Sequence, residues 1–168
     1  MKNNTDSLKA KVLKARQNSD IALLYSLESQ AHESFDEDTL SGFYANILDI
    51  ALERLTDTLE AHRVMDMNDV DDFATLRALY EYAIENYSAG AVNDAAALFE
   101  VLSGLSNDKN FSKALKLHTK VSKKGISLDD FIDNIADIDA TQNSGTFYIS
   151  CFKKEAQKML EDLQDRVE

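Results

Sequence analysis

The chain of 168 residues has no proline, no tryptophan, one cysteine and only five glycines. Proline at its average usage of about 5% would interrupt helices, so its absence leaves long helices joined by short loops as the natural arrangement. The single cysteine, Cys151, excludes an internal disulfide and a multi-cysteine metal site, and we expect an inert, at least partly buried thiol. No run of roughly 18 apolar residues is present to cross a bilayer. The opening residues MKNNTDSLKAKVLKARQ lack the apolar stretch of a signal peptide, so the expectation is a cytoplasmic protein without membrane insertion.

Hydrophobic residues make up 44% of the chain, enough at this length to bury a core without staples. The formal charge of −12 is distributed in blocks. Residues 19–76 hold fourteen acids against Arg54 and Arg63, whereas residues 109–124 hold six lysines and no acid. A predominantly acidic surface repels nucleic-acid backbones and anionic membranes, which disfavours nucleic acid as a partner and leaves basic proteins open. Lys109, Lys113, Lys116, Lys120 and Lys123 recur at steps of three and four, opposite Ala114, Leu117 and Val121. This is the pattern of a solvated helix face, or of a docking strip for an acidic partner.

Helical periodicity dominates, and alternation of period two is nowhere sustained over a strand length. The pattern predicts an all-α chain of about seven or eight helices in antiparallel hairpins. It reads as one domain over residues 1–168, with an N-terminal helical region at 1–64 and the remainder at 65–168. A first helix is expected over Asp6–Arg16, a second from Asp20 to Ser34, and a third opening at Asp36, Glu37 and Asp38. Leu40, Phe43, Tyr44, Ile47, Leu48, Ala51, Leu55 and Leu59 give that third helix the strongest apolar stripe of the N-terminal half. Ala61 to Asp72 reads as the connection into the second region. Further helices are expected over Phe111–Ser122, after Ser127, where Asp130 completes a capping-box-like pair, and over Thr146–Arg166, with Thr141–Gly145 as a loop.

Catalytic and metal-binding patterns are missing. His32, His62 and His118 lie far apart, none with a second histidine at three or four positions, and each reads as an ordinary surface or boundary residue. Asp137, Asp139, Thr141 and Asn143 alternate like a calcium loop, but Gln142 and Tyr148 occupy the places of its glycine and bidentate glutamate. No glycine-rich phosphate loop or nucleophile elbow occurs. The expectation is a protein that is not an enzyme and needs no cofactor and no metal.

The most informative stretch is Leu79 to Leu102, LYEYAIENYSAGAVNDAAALFEVL. Ala83 on one helix would face Ala95 and Phe99 on the next, small residues that let two helices approach, and Gly90 would make the turn. At these spacings the stretch resembles a tetratricopeptide-repeat hairpin. Only half of a second copy follows, NFSKALKLH with Ala114 as its small residue, so a regular tandem array is not expected. The words LYEYAIENYSAG and NDAAALFEVL, with Tyr87 three places before the glycine, are also similar to the first repeat of class II chaperones of type III secretion.

The resemblance implies a protein-binding adaptor or chaperone that holds a segment of a secreted or translocator protein in a helical groove. It places Arg77, Tyr80, Ile84, Tyr87 and Ser88 on the groove-facing side of the first helix. The plainer reading of the same tyrosines, that they cover neighbouring helices, stays open. So does the alternative function, an acidic inhibitor or immunity-type protein that masks a basic surface with residues Asp36 to Asp72.

Overall fold

In the computed structural model, which describes residues 2–158, five helix starts fall where short polar side chains cap them, whereas the helices that begin after Leu27 and Ala91 have no side-chain cap. Asp20, Asp36, Asp108, Ser127 and Asp137 each accept the backbone N–H three residues on, at 2.8–3.1 Å. Each supplies an acceptor for one of the orphan donors of a first helical turn. The chain is all-α, and among the described residues no strand forms; Ala136 and Phe152 make an isolated antiparallel bridge.

The residues divide into two compact units, one up to Leu79 and one from Tyr80 onward. The first contains α1 (Lys2–Gln17), α2 (Ile21–Ser26), α3 (Glu28–Ser34), α4 (Glu37–Glu60) and the first half of α5 (Val70–Ser88). On α1 the stripe Leu8, Val12 and Ala15 is buried, while Leu13, adjacent in sequence, is half exposed. The single helix expected from Asp20 to Ser34 is two, broken at Leu27, whose N–H turns toward the carbonyls of Leu23 and Leu24. The break keeps Leu24, Leu27 and Ala31 in the core. Along α4 the buried positions are Phe43, Ile47, Ile50, Ala51 and Thr58, so the stripe fades before Leu59, which is exposed.

The division between the two compact units falls inside α5. Arg54 on α4 donates to Asp72 Oδ1 (2.9 Å) and Thr75 Oγ1 (2.8 Å), fastening the start of α5 to the first unit. Met65, in the connection, is fully buried.

The second unit continues from α5 through α6 (Val92–Leu105), α7 (Lys109–Lys123), α8 (Leu128–Asp130) and α9 (Ile138–Ser144). Gly90, at φ 86°, makes the tight turn between α5 and α6, a conformation that glycine adopts without a Cβ penalty. Ala83, Ala95, Phe99 and Leu102 are all fully buried. Helix α8 runs on as a π-helical turn, Phe131–Ile135, closed by the bond from Ala136 N–H to Phe131 O (2.8 Å). The wider turn carries Phe131 and Ile135 into a core with Leu117, Val121 and Ala156.

Two expectations for the C-terminal region are corrected. Residues 138–144 form α9, capped by Asp137, where a loop was expected at Thr141–Gly145. Thr146 to Lys153 is not helical but irregular, bent at Phe147 and Tyr148; helix resumes at residues 154–158. Met159, Leu160 and Leu163 of the expected last helix lie outside the described residues.

Candidate functional site

The five residues assigned to a groove do not share one surface. Arg77 belongs to the first unit, where its guanidinium lies 4.2 Å from the centre of the Tyr25 ring and donates to Glu28 Oε1 (3.1 Å). Ile84 is half-buried and Ser88 exposed. Tyr80 and Tyr87 are buried, at 4% and 2% exposure, in the second unit. The open groove expected beside these tyrosines is filled by the protein's own residues, because the later helices and the irregular segment after α9 return over that face of α5.

Tyr80 is the centre of this packing. Its hydroxyl lies 2.8 Å from Nε2 of His118, and it accepts the N–H of Ile149 at 3.0 Å. His118 Nδ1 lies 2.6 Å from Ala114 O, a bond only a protonated nitrogen can make. In the neutral ring Nε2 is then the acceptor, and the Tyr80 hydroxyl donates to it. A chain of donors therefore runs from Ile149 N–H through Tyr80 and His118 to the α7 backbone. Burial holds the imidazole neutral, pushing its pKa down to about 4, and burial also raises the Tyr80 hydroxyl well above its ordinary range. The expectation of a surface or boundary histidine is corrected: His118 is fully buried among Tyr80, Phe99, Phe131 and Phe152.

The irregular segment 146–153, a strap, lies over these rings. Tyr148 packs edge-on against Phe111, centres 4.9 Å apart, and Phe152 meets Phe131 and His118. Main-chain bonds hold the rest. Ser150 and Cys151 N–H both donate to Thr141 Oγ1 (3.3 and 3.1 Å), Asp137 N–H to Cys151 O (2.8 Å) and Lys153 N–H to Ile135 O (2.8 Å). Tyr148 is buried, but Phe147 and Ile149 to Phe152 are only half so. Beside the strap opens a cleft of about 720 Å³, lined by Lys113, Ser144, Ser150, Cys151, Phe152 and Gln157. The Cys151 thiol, half-buried, lies 3.7 Å from the Ser150 hydroxyl, on the strap rather than on a helix as expected.

Tyr87, its pKa pushed up to about 12 by burial and the nearby Asp130 charge, donates its hydroxyl proton to Ile126 O. On α7, Lys109, Lys113, Lys116 and Lys123 are exposed, and Lys123 reaches Glu100 at 3.3 Å. Among the described residues no group of three or more histidine, cysteine or acidic side chains is placed to hold a metal ion, and no helix is long and apolar enough to cross a membrane.

Sequence reasoning missed His118, Thr141, Tyr148 and Phe152 as a set. The signal for His118 was present, since it follows Ala114 by four residues within the apolar stripe of its helix. Comparison with protein-family models, with curated proteins and with solved structures finds no match to this chain.

Proposed function

We propose that this chain is a non-enzymatic adaptor or chaperone that holds an extended segment of a partner protein against a helical face. The strap supports the reading: α5 and α9 grip a non-helical stretch through its backbone, and its side chains enter an aromatic seat that α7 completes. Main-chain bonds combined with side-chain pockets are the general chemistry of extended-peptide recognition. The resemblance of Leu79–Leu102 to the secretion chaperones narrows the proposed partner to a secreted or translocator protein with an apolar segment. The test is co-purification of the full chain from its native cell. The reading expects one stoichiometric partner whose apolar segment is shielded from protease only in the complex. Recovery of the chain alone at native expression levels, across growth conditions, counts against it.

A second reading draws on the first unit. Asp57 and Glu60 are exposed on α4, as are the nearby-in-sequence apolar side chains of Leu59 and Val64. Exposed acids close in sequence to exposed apolar groups suit an inhibitor that masks a basic surface. Asp57→Lys with Glu60→Lys would abolish partner binding under this reading and leave it intact under the first.

A further inference from the structure

Helix α7 concentrates cations that the fold leaves largely unpaired. Lys109, Lys113, Lys116, Lys120 and Lys123 fall at steps of four and three along one face, and residues 109–124 contain no acid. Like charges at those steps weaken a helix, and Lys109, in the first turn, also opposes the helix dipole. Among the described residues only Lys123 of the five reaches a carboxylate, Glu100 Oε2 at 3.3 Å. Offsetting a net charge of −12 calls for cations on the chain, but not for cations in one row. Near its N-terminal end the row meets the cleft of about 720 Å³, because Lys113 lines that cleft together with Asn110, Ser144, Ser150 and Gln157. The volume is that of a ligand site, and the lining offers amide and hydroxyl groups that can bond a polar guest. The single acid of the lining, Asp137, already accepts the Ala140 N–H as the cap of α9.

We propose that the lysine row of α7 and the cleft at Lys113 form one docking surface for an acidic, extended segment of a partner protein. The proposal rests on the adaptor reading and adds to it a surface and a chemistry: carboxylates along the row and a polar side chain in the cleft. At about 1.5 Å per residue the row from Lys109 to Lys123 runs about 21 Å, the span of about six extended residues. Exposed charge pairs contribute little affinity singly, so the row steers and orients the segment and the cleft retains it. Other polyanions suit the surface less well. Phe111, the aromatic residue of α7, is fully buried, so the row has no ring on which bases could stack. Nor does α7 expose a large apolar side chain that could enter a bilayer beside the lysines.

The probe is a fluorescent polyglutamate of about ten residues, extended by its own repulsion, titrated into the full chain at about 20 mM salt. Lys113→Gln with Lys116→Gln should weaken binding about 10-fold or more. Lys11→Gln with Lys14→Gln, at exposed positions of α1, removes the same charge and should change binding less than about 2-fold. No binding to wild type, or equal losses in the two variants, overturns the proposal. On wild type, the side-chain amides of Asn110 and Gln157 should shift in nuclear magnetic resonance spectra as peptide is added, a readout free of any effect of substitution on folding. Shifts that leave both amides untouched overturn it too. So does tighter binding, through the same lysines, of an oligothymidylate of equal charge, of vesicles containing phosphatidylserine, or of a second copy of the chain. A native partner recovered undiminished with the Lys113→Gln, Lys116→Gln chain removes this inference and keeps the adaptor reading. Peptide binding at the row of a chain that has no native partner does the reverse.

Discussion

At the scale of single residues, the Tyr80–His118 pair is where small chemical changes have large consequences. The Tyr80 hydroxyl both donates to His118 and accepts from Ile149, so Tyr80→Phe strips two buried groups of their partner at once. The expected cost is about 1–3 kcal/mol, read as a fall in urea midpoint, with helix content retained. A midpoint unchanged by the substitution would mean that water reaches both groups. Protonation tests the same pair. The folded histidine has its pKa depressed to about 4, against 6.5 unperturbed, so in that interval the unfolded chain takes up a proton that the native one refuses. Stability present above pH 6.5 is therefore lost as pH falls toward 4, by on the order of 3 kcal/mol in full. Carboxylates begin to contribute below about pH 5, which makes the interval from pH 6.5 to 5 the diagnostic one. His118→Gln should flatten the midpoint there, and a wild-type midpoint already flat across it would show that the ring titrates normally.

Among the elements, the α5–α6 hairpin and the strap show opposite relations between sequence and structure. Ala95 has no exposed surface, and Ala95→Leu should overpack the hairpin by about 1–3 kcal/mol, measured by thermal or urea denaturation. A stable, well-folded leucine variant would place Ala95 at a surface instead. Ala83, Gly90, Ala95 and Phe99 were legible because a close helical turn demands small residues and a positive φ at fixed spacings. The caps at Asp20, Asp36 and Ser127 were legible for a similarly local reason, since their oxygens satisfy donors three residues away. The strap was not. Ile149, Phe152 and Ala156 recur at helical steps, yet Thr146, Tyr148, Ile149 and Phe152 are residues that favour extended backbone. Burial of Tyr148 against Phe111 and bonds to Thr141 and Ile135 settle that conflict, and they come from elements distant in sequence. The groove assignment met the same limit. Tyr80 and Tyr87 share a helix face by spacing alone, but what covers that face is decided by residues 111–152. Where the first unit ends was hidden too, since the bonds from Arg54 to Asp72 and Thr75 link residues about twenty places apart.

For the whole molecule the governing quantity is a net charge of −12, against which the lysines of α7 are the main concentrated counterweight. Like charges spread over a compact chain repel one another and favour its expansion, and a positive helix face lowers that repulsion without needing close ion pairs. Lys113 and Lys116 are exposed in the middle of α7, away from the helix ends where a cation would also act on the helix dipole. Lys113→Gln with Lys116→Gln keeps side chains of good helix propensity and removes two positive charges. At about 10 mM salt the screening length is about 30 Å, so the lost attraction reaches across a domain; at about 0.3 M it is confined to nearest neighbours. The double variant should therefore unfold at a urea concentration lower by about 0.2–0.5 M in low salt and converge on wild type in high salt. If the lysines serve only as a docking strip for an acidic partner, the two proteins will unfold together at every salt concentration, and the difference will emerge only when an acidic polypeptide is added.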